Sequence, residues 1–249
     1  MNRQSYCIAN WKMNHTKDSM AKFVTQIKRE IEINTKVRPI ICPAYIHLNE
    51  LKELLGGLDI GIGSQNASEY ESGAYTGEIS INMLKEFGIE YVIIGHSERR
   101  HIFSESDGQI NSKLNAVIKG GLTPILCIGE TIEDRKNGKT NQVLQTQLSS
   151  AFSNINDLSG VSILAYEPVW AIGSGIAADA DTIEETHQSI RTLIENVGAQ
   201  SQSLALLYGG SVTPENCSEI FQLENVDGFL IGGASLKAET FLDIYHQMV

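Results

Sequence analysis

A carboxylate, an imidazole and an ammonium group each follow a short apolar run in this sequence, and each could do chemistry. Glu167 comes directly after the run 161–166 and precedes a proline and an apolar segment bounded by glycines. This arrangement is typical of a base beneath a closable lid. The alternative is a solvated charge on a surface loop, but an open loop would then expose Trp170 and Ile172 to water.

His96 lies where a helix would begin, so the positive end of that helix would lower its pKa and keep the imidazole neutral. A lone histidine is more often structural, and His101 would lie on a different helix face, which argues against a metal site. Glu98 and Arg99 are expected to form an ion pair that fixes this loop. Lys12 is either a solvated surface charge or a cation that neutralises an anionic substrate.

Two glycine pairs, Gly209–Gly210 and Gly232–Gly233, follow the seventh and eighth apolar runs. Glycine lets a ligand approach the backbone closely, and loops at these two positions form a recurrent phosphate site in barrel enzymes. We therefore expect a phosphate site here. Residues 173–178 match the dinucleotide fingerprint Gly-x-Gly-x-x-Ala, but that fingerprint needs its first glycine directly after the strand. Residues 167–172 intervene, so we reject a nucleotide site.

The elements that must position these residues follow a regular rhythm of apolar runs and amphipathic segments. Continuous apolar runs suit strands that are buried on both faces. The runs are 6–10, 39–42, 60–63, 91–95, 122–128, 161–166, 204–208 and 228–231. Eight strands that alternate with helices predict one parallel (β/α)₈ barrel, with its active site at the carboxyl ends of the strands.

Helical spacing marks the segments between these runs. The first predicted helix presents Met20, Phe23 and Val24 on one face and begins at an N-cap of Thr16 or Asp18. The other helical segments are 110–119, 143–152, 183–197, 214–223 and 238–248. The helix predicted over 214–223 is expected to begin at Pro214, with Thr213 as its N-cap.

Composition narrows the class of protein. The chain has 249 residues, of which 42% are hydrophobic and 20% charged, which is typical of a globular protein, and we expect one domain over 1–249. A net charge of −11 argues against nucleic acid and membrane surfaces as partners. No segment resembles a signal peptide, and four widely spaced cysteines suit buried reduced thiols, so we expect a cytoplasmic protein.

Six segments together resemble the triosephosphate isomerase family. They are NWKMN at 10–14, GAYTGE at 73–78, GHSERR at 95–100, YEPVWAIG at 166–173, YGGSV at 208–212 and GGASL at 232–236. They occur in order along the whole chain. The resemblance implies a cofactor-independent aldose–ketose isomerase of glycolysis and gluconeogenesis, which interconverts dihydroxyacetone phosphate and D-glyceraldehyde 3-phosphate through an enediolate.

The resemblance also implies a role for individual residues. Glu167 would be the base and His96 the electrophile, under a lid formed by residues 168–178. The substrate-binding residues would be Asn10, Lys12, Gly173, Ser211, Gly232 and Gly233, with no metal. The segment 73–78 would insert into a neighbouring subunit and form a homodimer.

Three positions depart from the family pattern. Ser174, Ile176 and Ser104 stand where the family commonly has Thr, Lys and Gly, which bears on lid motion rather than on reaction class.

Two other functions stay open. One alternative is another phosphate-binding barrel enzyme, such as a phosphosugar aldolase or epimerase. The other is a protein of the same fold that binds a phosphometabolite without turning it over.

Overall fold

Eight parallel strands close into one barrel, in the order in which they occur along the chain. The structure, a computed structural model, describes residues 3–155, 158, 160–172, 178–198 and 203–249. The strands are β1 (Ser5–Asn10), β2 (Val37–Cys42), β3 (Gly61–Ser64), β4 (Tyr91–Ile94), β5 (Thr123–Ile128), β6 (Ile163–Tyr166), β7 (Ala205–Tyr208) and β8 (Gly228–Ile231). Pairing of β8 with β1 closes the barrel, with Tyr6 opposite Gly228. The predicted (β/α)₈ fold is confirmed.

Helices follow the strands around the outside of the barrel. They are α1 (Lys17–Glu30), α2 (Leu48–Leu55), α3 (Ile81–Glu86), α4 (Ser97–His101), α5 (Asp107–Lys119), α6 (Ile132–Lys136), α7 (Thr140–Ala151), α8 (Ala180–Asn196), α9 (Cys217–Phe221) and α10 (Ala238–Met248). Three short 3₁₀ turns, Tyr45–His47, Val169–Ala171 and Gly233–Leu236, lie in loops at the carboxyl ends of strands. None of the helices in the described part of the chain is long and apolar enough to cross a bilayer.

Successive side chains of each strand point to opposite sides of the barrel wall, which divides the core into two parts. Ile8 packs inside the barrel with residues such as Ile40 and Ile125, whereas its neighbours Cys7 and Ala9 pack outward against the helices. Because both faces are buried, the strands read as continuous apolar runs. The four cysteines are buried and free of disulfide bonds, as expected.

The helices match the sequence expectation at one N-cap and differ from it at other positions. Thr16 is the N-cap of α1, where its side chain accepts the N–H of Ser19 in a capping box. Pro214, however, does not begin a helix, because Asn216 Oδ1 accepts the N–H of Thr213 at 2.8 Å and closes a turn first. Helix α9 therefore begins later than expected. Helices α2, α3 and α6 were not predicted, since each is too short for its periodicity to stand out.

The barrel positions the first residue of each functional loop through bonds that continue the strand ladder. The N–H of Trp11 donates to the carbonyl of Cys42 at 3.1 Å, and that of Glu167 donates to the carbonyl of Ile128 at 2.7 Å. These bonds extend the rigid sheet by one residue into the loops. The first residue after β1 and the first residue after β6 are thus hydrogen-bonded to the neighbouring strand.

Candidate active site

One cavity of about 240 Å³ opens at the carboxyl ends of the strands. It is lined by residues that follow β1, β4, β6, β7 and β8, in agreement with the expected location of the site. Seven of the eight residues expected from the sequence line it together: Asn10, Lys12, His96, Glu167, Ser211, Gly232 and Gly233. The eighth, Gly173, lies outside the described residues.

The Glu167 carboxylate and the His96 imidazole are in direct contact at the floor of this cavity. Oε1 of Glu167 lies 2.9 Å from Nε2 of His96, and its Oε2 accepts the backbone N–H of Ser97 at 2.9 Å. Both side chains are buried, with only 3% of Glu167 and 5% of His96 exposed. His96 also caps α4, because its Nδ1 accepts the N–H of Glu98 at 3.2 Å. With Nδ1 as an acceptor, Nε2 carries the proton of a neutral ring.

This contact sets the direction of both pKa shifts. Burial lowers the pKa of His96, but the adjacent Glu167 carboxylate outweighs burial, so the pKa is raised above its usual value. Burial would raise the pKa of Glu167, but His96 and the N–H of Ser97 stabilise its charged form and lower the pKa. The expected lowering of the His96 pKa by the helix end is therefore wrong in this conformation. The carboxylate contact is stronger than the end of a five-residue helix.

Lys12 reaches the cavity from a strained backbone. Its φ is 52°, and its Nζ lies 2.7 Å from Oε1 of Glu98. The expected Glu98–Arg99 ion pair does not form, since Arg99 instead donates through Nε to Glu105 at 3.1 Å. Consecutive residues at the start of α4 point in different directions, so each finds a partner on another element.

The two glycine loops after β7 and β8 lie on the other side of the cavity. The Cα of Gly232 faces the Lys12 side chain, and a Cβ built there would lie 3.2 Å from Cε of Lys12. The hydroxyl of Ser211 donates to the carbonyl of Ala171 at 2.7 Å. Because this bond uses the hydroxyl proton, the backbone N–H is the donor that Ser211 can offer to an anion.

The two ends of the predicted lid are anchored to the barrel. At its start, Trp170 Nε1 donates to Oε1 of Glu130 at 3.1 Å, and the fully buried Glu130 also accepts the Tyr166 hydroxyl at 3.1 Å. At its end, the N–H of Ala178 donates to the Tyr208 hydroxyl at 3.2 Å. Residues 173–177, with the departures Ser174 and Ile176, lie outside the described part of the chain.

A family model described as "Triosephosphate isomerase" matches residues 5–248, from the first strand to the last helix. The chain belongs to the triosephosphate isomerase family.

Bacterial members of the triosephosphate isomerase family align with nearly the whole chain. The enzyme of Francisella tularensis subsp. mediasiatica (strain FSC147) is 44% identical over 247 residues, which cover 98% of this chain and 97% of the relative. That of Colwellia psychrerythraea (strain 34H / ATCC BAA-681) is 45% identical over 247 residues, which cover 97% of this chain and 96% of the relative. The protein is therefore an isomerase, and its family name places it in glycolysis.

Several residues that shape the cavity were predicted only in part, or not at all, from the sequence. Ser97 contributes a backbone N–H, which no side-chain pattern reveals. Gly209 was noted only as part of a glycine pair, yet its Cα faces Glu167. Ile172 and Leu230 line the cavity with apolar surface. Leu230 was predicted only as a strand residue, because an apolar residue inside a strand carries no signal of its own.

Proposed function

We propose that this protein interconverts dihydroxyacetone phosphate and D-glyceraldehyde 3-phosphate, with residues 1–249 as one catalytic domain. The observation that carries the proposal is the 2.9 Å contact between Glu167 Oε1 and His96 Nε2 at the floor of a cavity that Lys12 enters. Proton transfer next to a carbonyl group needs a base and a hydrogen-bond donor within reach of adjacent substrate atoms.

In the proposed reaction, the substrate carbonyl takes the place of the Glu167 carboxylate beside His96. Glu167 removes a proton from C1 of dihydroxyacetone phosphate, and the electron pair of that C–H bond forms the enediolate. His96 donates its Nε2–H to the oxygen that gains charge. The proton of the C1 hydroxyl moves to the C2 oxygen by way of the His96 ring, which gives up its Nε2–H and takes the hydroxyl proton in its place. Glu167 then returns its own proton to C2 as C1 becomes the aldehyde carbon. Substrate and product are isomers, so the reaction needs no net oxidant or reductant.

The remaining cavity residues bind the substrate in this proposal. Lys12 balances the charge of the phosphate and of the enediolate. Asn10 helps to position the substrate, and its Oδ1 accepts the backbone N–H of Lys12 at 3.1 Å. The phosphate binds to backbone N–H groups of Gly173, Ser211, Gly232 and Gly233. Glycines suit this role because they let the phosphate approach the main chain closely.

Closure of residues 168–178 would exclude water from the enediolate. Water exclusion protects a reactive intermediate and strengthens each electrostatic contact inside the site. The Glu130–Trp170 bond supports this proposal, because it fixes one end of the segment to the barrel. The phosphate supplies binding energy that can drive closure.

We also propose that the protein works as a homodimer in the cytoplasm. The segment 73–78 is exposed throughout, and Tyr75 stacks on Tyr70 with ring centroids 3.9 Å apart. A cavity of about 270 Å³ beside Lys12 is lined partly by Met13 and Phe103, both highly exposed in the single chain. A partner's segment 73–78 that inserts there would cover these apolar side chains.

A coupled assay separates the candidate functions. Purified protein is mixed with D-glyceraldehyde 3-phosphate, and dihydroxyacetone phosphate is detected with its NADH-dependent reductase, without any further cofactor. We expect rapid turnover. A phosphosugar aldolase or epimerase would give no signal with this substrate alone, and an aldolase that uses a lysine would be inactivated by borohydride in the presence of its substrate. A binding protein would bind the substrate without turnover.

A further inference from the structure

The loop that carries Lys12, residues 11–15 (the Lys12 loop), contains two residues in the left-handed backbone region. The φ of Lys12 is 52° and that of His15 is 71°. Side chains other than glycine are strained in this region, and such strain persists only where surrounding contacts hold it. The contacts of this loop therefore decide where Lys12 lies in the cavity.

Gln65 and His47 hold opposite ends of the Lys12 loop. Gln65 Nε2 donates to the carbonyl of Lys12 at 2.9 Å, and His47 Nε2 donates to the carbonyl of His15 at 3.1 Å. The His15 ring adds a third contact, because its Nδ1 lies 3.1 Å from Oγ of Ser19 and the ring packs on Trp11 with centroids 4.2 Å apart. The His15 end of the loop thus depends on two imidazoles.

Both imidazoles have a buried nitrogen that forms no hydrogen bond within the described chain. These atoms are Nε2 of His15 and Nδ1 of His47, and the indole Nε1 of Trp11 shares this property. A carbonyl can only accept a hydrogen bond, so His47 carries its proton on Nε2 and its Nδ1 is unprotonated in the neutral ring. Only 4% of His47 is exposed, so a proton added at Nδ1 would be buried without an acceptor.

We propose that His15 and His47 are positioning residues for Lys12, which hold the Lys12 loop in its strained conformation while the His15 imidazole is neutral. Protonation of the His15 ring places a charge and a partnerless N–H group at a buried nitrogen, so the ring moves toward water and the loop is released. Lys12 then loses its position in the cavity. The inference rests on the proposed role of Lys12 in binding the anionic end of the substrate.

The charged groups of the described chain near His15 and His47 do not neutralise the positive charge of a proton added to the imidazole. Lys17 on α1 pairs with Glu50 on α2 at 3.2 Å, and Asp18 is exposed in the first turn of α1. Lys12 itself pairs with Glu98. Within the described residues, no carboxylate lies at ion-pair distance from either His15 or His47.

The direction of the pH effect follows from this environment. Burial, followed by the nearby His47, lowers the pKa of His15 below its usual value of 6.5. A histidine whose pKa is lowered by its surroundings stabilises those surroundings while neutral, that is, above its usual pKa. That contribution is lost as the pH falls below 6.5 and through the lowered pKa. The hold on Lys12 should therefore weaken in mild acid.

Sulfate binding measured by calorimetry tests this inference, because sulfate stays a dianion from neutral to mildly acidic pH. Protonation of His96, whose pKa is raised, would add a positive charge to the cavity and tighten sulfate binding, whereas release of Lys12 would weaken it. The two effects therefore have opposite signs. Sulfate binding also does not depend on turnover, so it can be measured even if the proposed isomerisation fails its own assay.

The informative variant combines His15→Asn with His47→Gln. Asparagine tolerates a positive φ, and glutamine keeps an N–H donor for the His15 carbonyl, but neither side chain takes up a proton in this range. The exposed His246→Gln on α10 is the matched control, and Lys12→Met reports binding without the cation. Sedimentation at each pH ensures that proteins of the same oligomeric state are compared.

We expect the Kd of sulfate for the unaltered protein and for His246→Gln to rise at least about threefold between about pH 7.5 and about pH 5.5. The Kd of the double variant should change less than about twofold over the same pH range. Lys12→Met should bind weakly at both pH values. An equal loss of affinity in the double variant, or no loss in the unaltered protein, would overturn the inference.

Discussion

The Cα of Gly209 faces the Glu167 side chain so closely that a Cβ built on Gly209 would lie 2.9 Å from Cγ of Glu167. The same Cβ would lie 3.2 Å from the carbonyl oxygen of Tyr166, so the space cannot be regained by moving the backbone alone. The missing side chain at this position is what leaves room for the carboxylate beside His96.

The substitution Gly209→Ala should therefore displace Glu167 and lower kcat by about 10- to 100-fold, because a shift of about 1 Å removes the reactive geometry. Steady-state kinetics and circular dichroism together measure this effect in a folded protein. The control is Gly108→Ala on α5, where the nearest atom to an added Cβ is Oγ of Ser106 at 4.0 Å. Equal kcat values in the two variants would show that Glu167 does not need this space.

The raised pKa of His96 should depend on the Glu167 carboxylate. In Glu167→Gln the charge is removed while the size is kept, so burial dominates and the pKa of His96 should fall. His96 then stays neutral to lower pH. Nitrogen NMR of labelled imidazoles measures this change. His187 is the internal reference, because burial lowers its pKa to about 4 and neither Glu167 nor Lys12 contributes. An unchanged titration of His96 would rule out the carboxylate as the cause.

The free energy of unfolding should also depend on the Glu167–His96 pair, both in acid and above neutral pH. The lowered pKa of Glu167 means that its contribution is present above the usual value of 4.5 and is lost as the pH falls through the lowered pKa. The raised pKa of His96 means that its contribution is present below the usual value of 6.5 and is lost as the pH rises through the raised pKa. Urea unfolding across this range should show a smaller pH dependence for Glu167→Gln than for the unaltered protein.

A charge on the segment 73–78 should separate the proposed dimer. Tyr75 is 42% exposed in the single chain, and in the proposed dimer Tyr75→Asp would place a carboxylate against the apolar side chains of Met13 and Phe103 of the other copy. Sedimentation at micromolar concentration should show monomers with reduced kcat, because the segment would no longer support the neighbouring Lys12 loop. Ile132→Asp alters another exposed apolar residue, on α6, and should leave the dimer intact. A fully active monomer of the unaltered protein would contradict the dimer.

The location of the site could be predicted from the sequence because a parallel barrel brings the carboxyl ends of all its strands together. Eight apolar runs have few arrangements other than a closed parallel barrel, and that barrel places residues that follow its strands at one end. This rule selects Glu167, His96 and Lys12 from the sequence alone. The glycine loops at 209–210 and 232–233 were found in the same way, from their position after the last two strands.

What the sequence could not predict depends on side-chain conformation and on long-range partners. Glu98 has Arg99 beside it in the chain, but its carboxylate pairs with Lys12, which is 86 positions away. The pKa of His96 was expected to fall because the helix end was visible in the sequence, whereas the contact with Glu167 was not. Ser104, which replaces the usual glycine, adopts a φ of 55°, so its backbone keeps the conformation that glycine would favour.

Glu167 moves the proton in the proposed reaction, and the conservative substitution Glu167→Asp isolates that role. Aspartate keeps the charge but retracts the carboxylate by one methylene group, on the order of 1 Å. Glu185→Asp makes the same change at an exposed position on α8 and controls for effects on folding. Binding of the phosphate depends on other loops, so substrate affinity should change little in either variant.

The decisive measurement is therefore kcat and KM for Glu167→Asp in the coupled assay described above. If Glu167 is the base, kcat falls by about 100-fold while KM stays near that of the unaltered protein, because the loss occurs mainly in the transition state. Turnover close to that of Glu185→Asp would contradict the account and remove Glu167 from the mechanism.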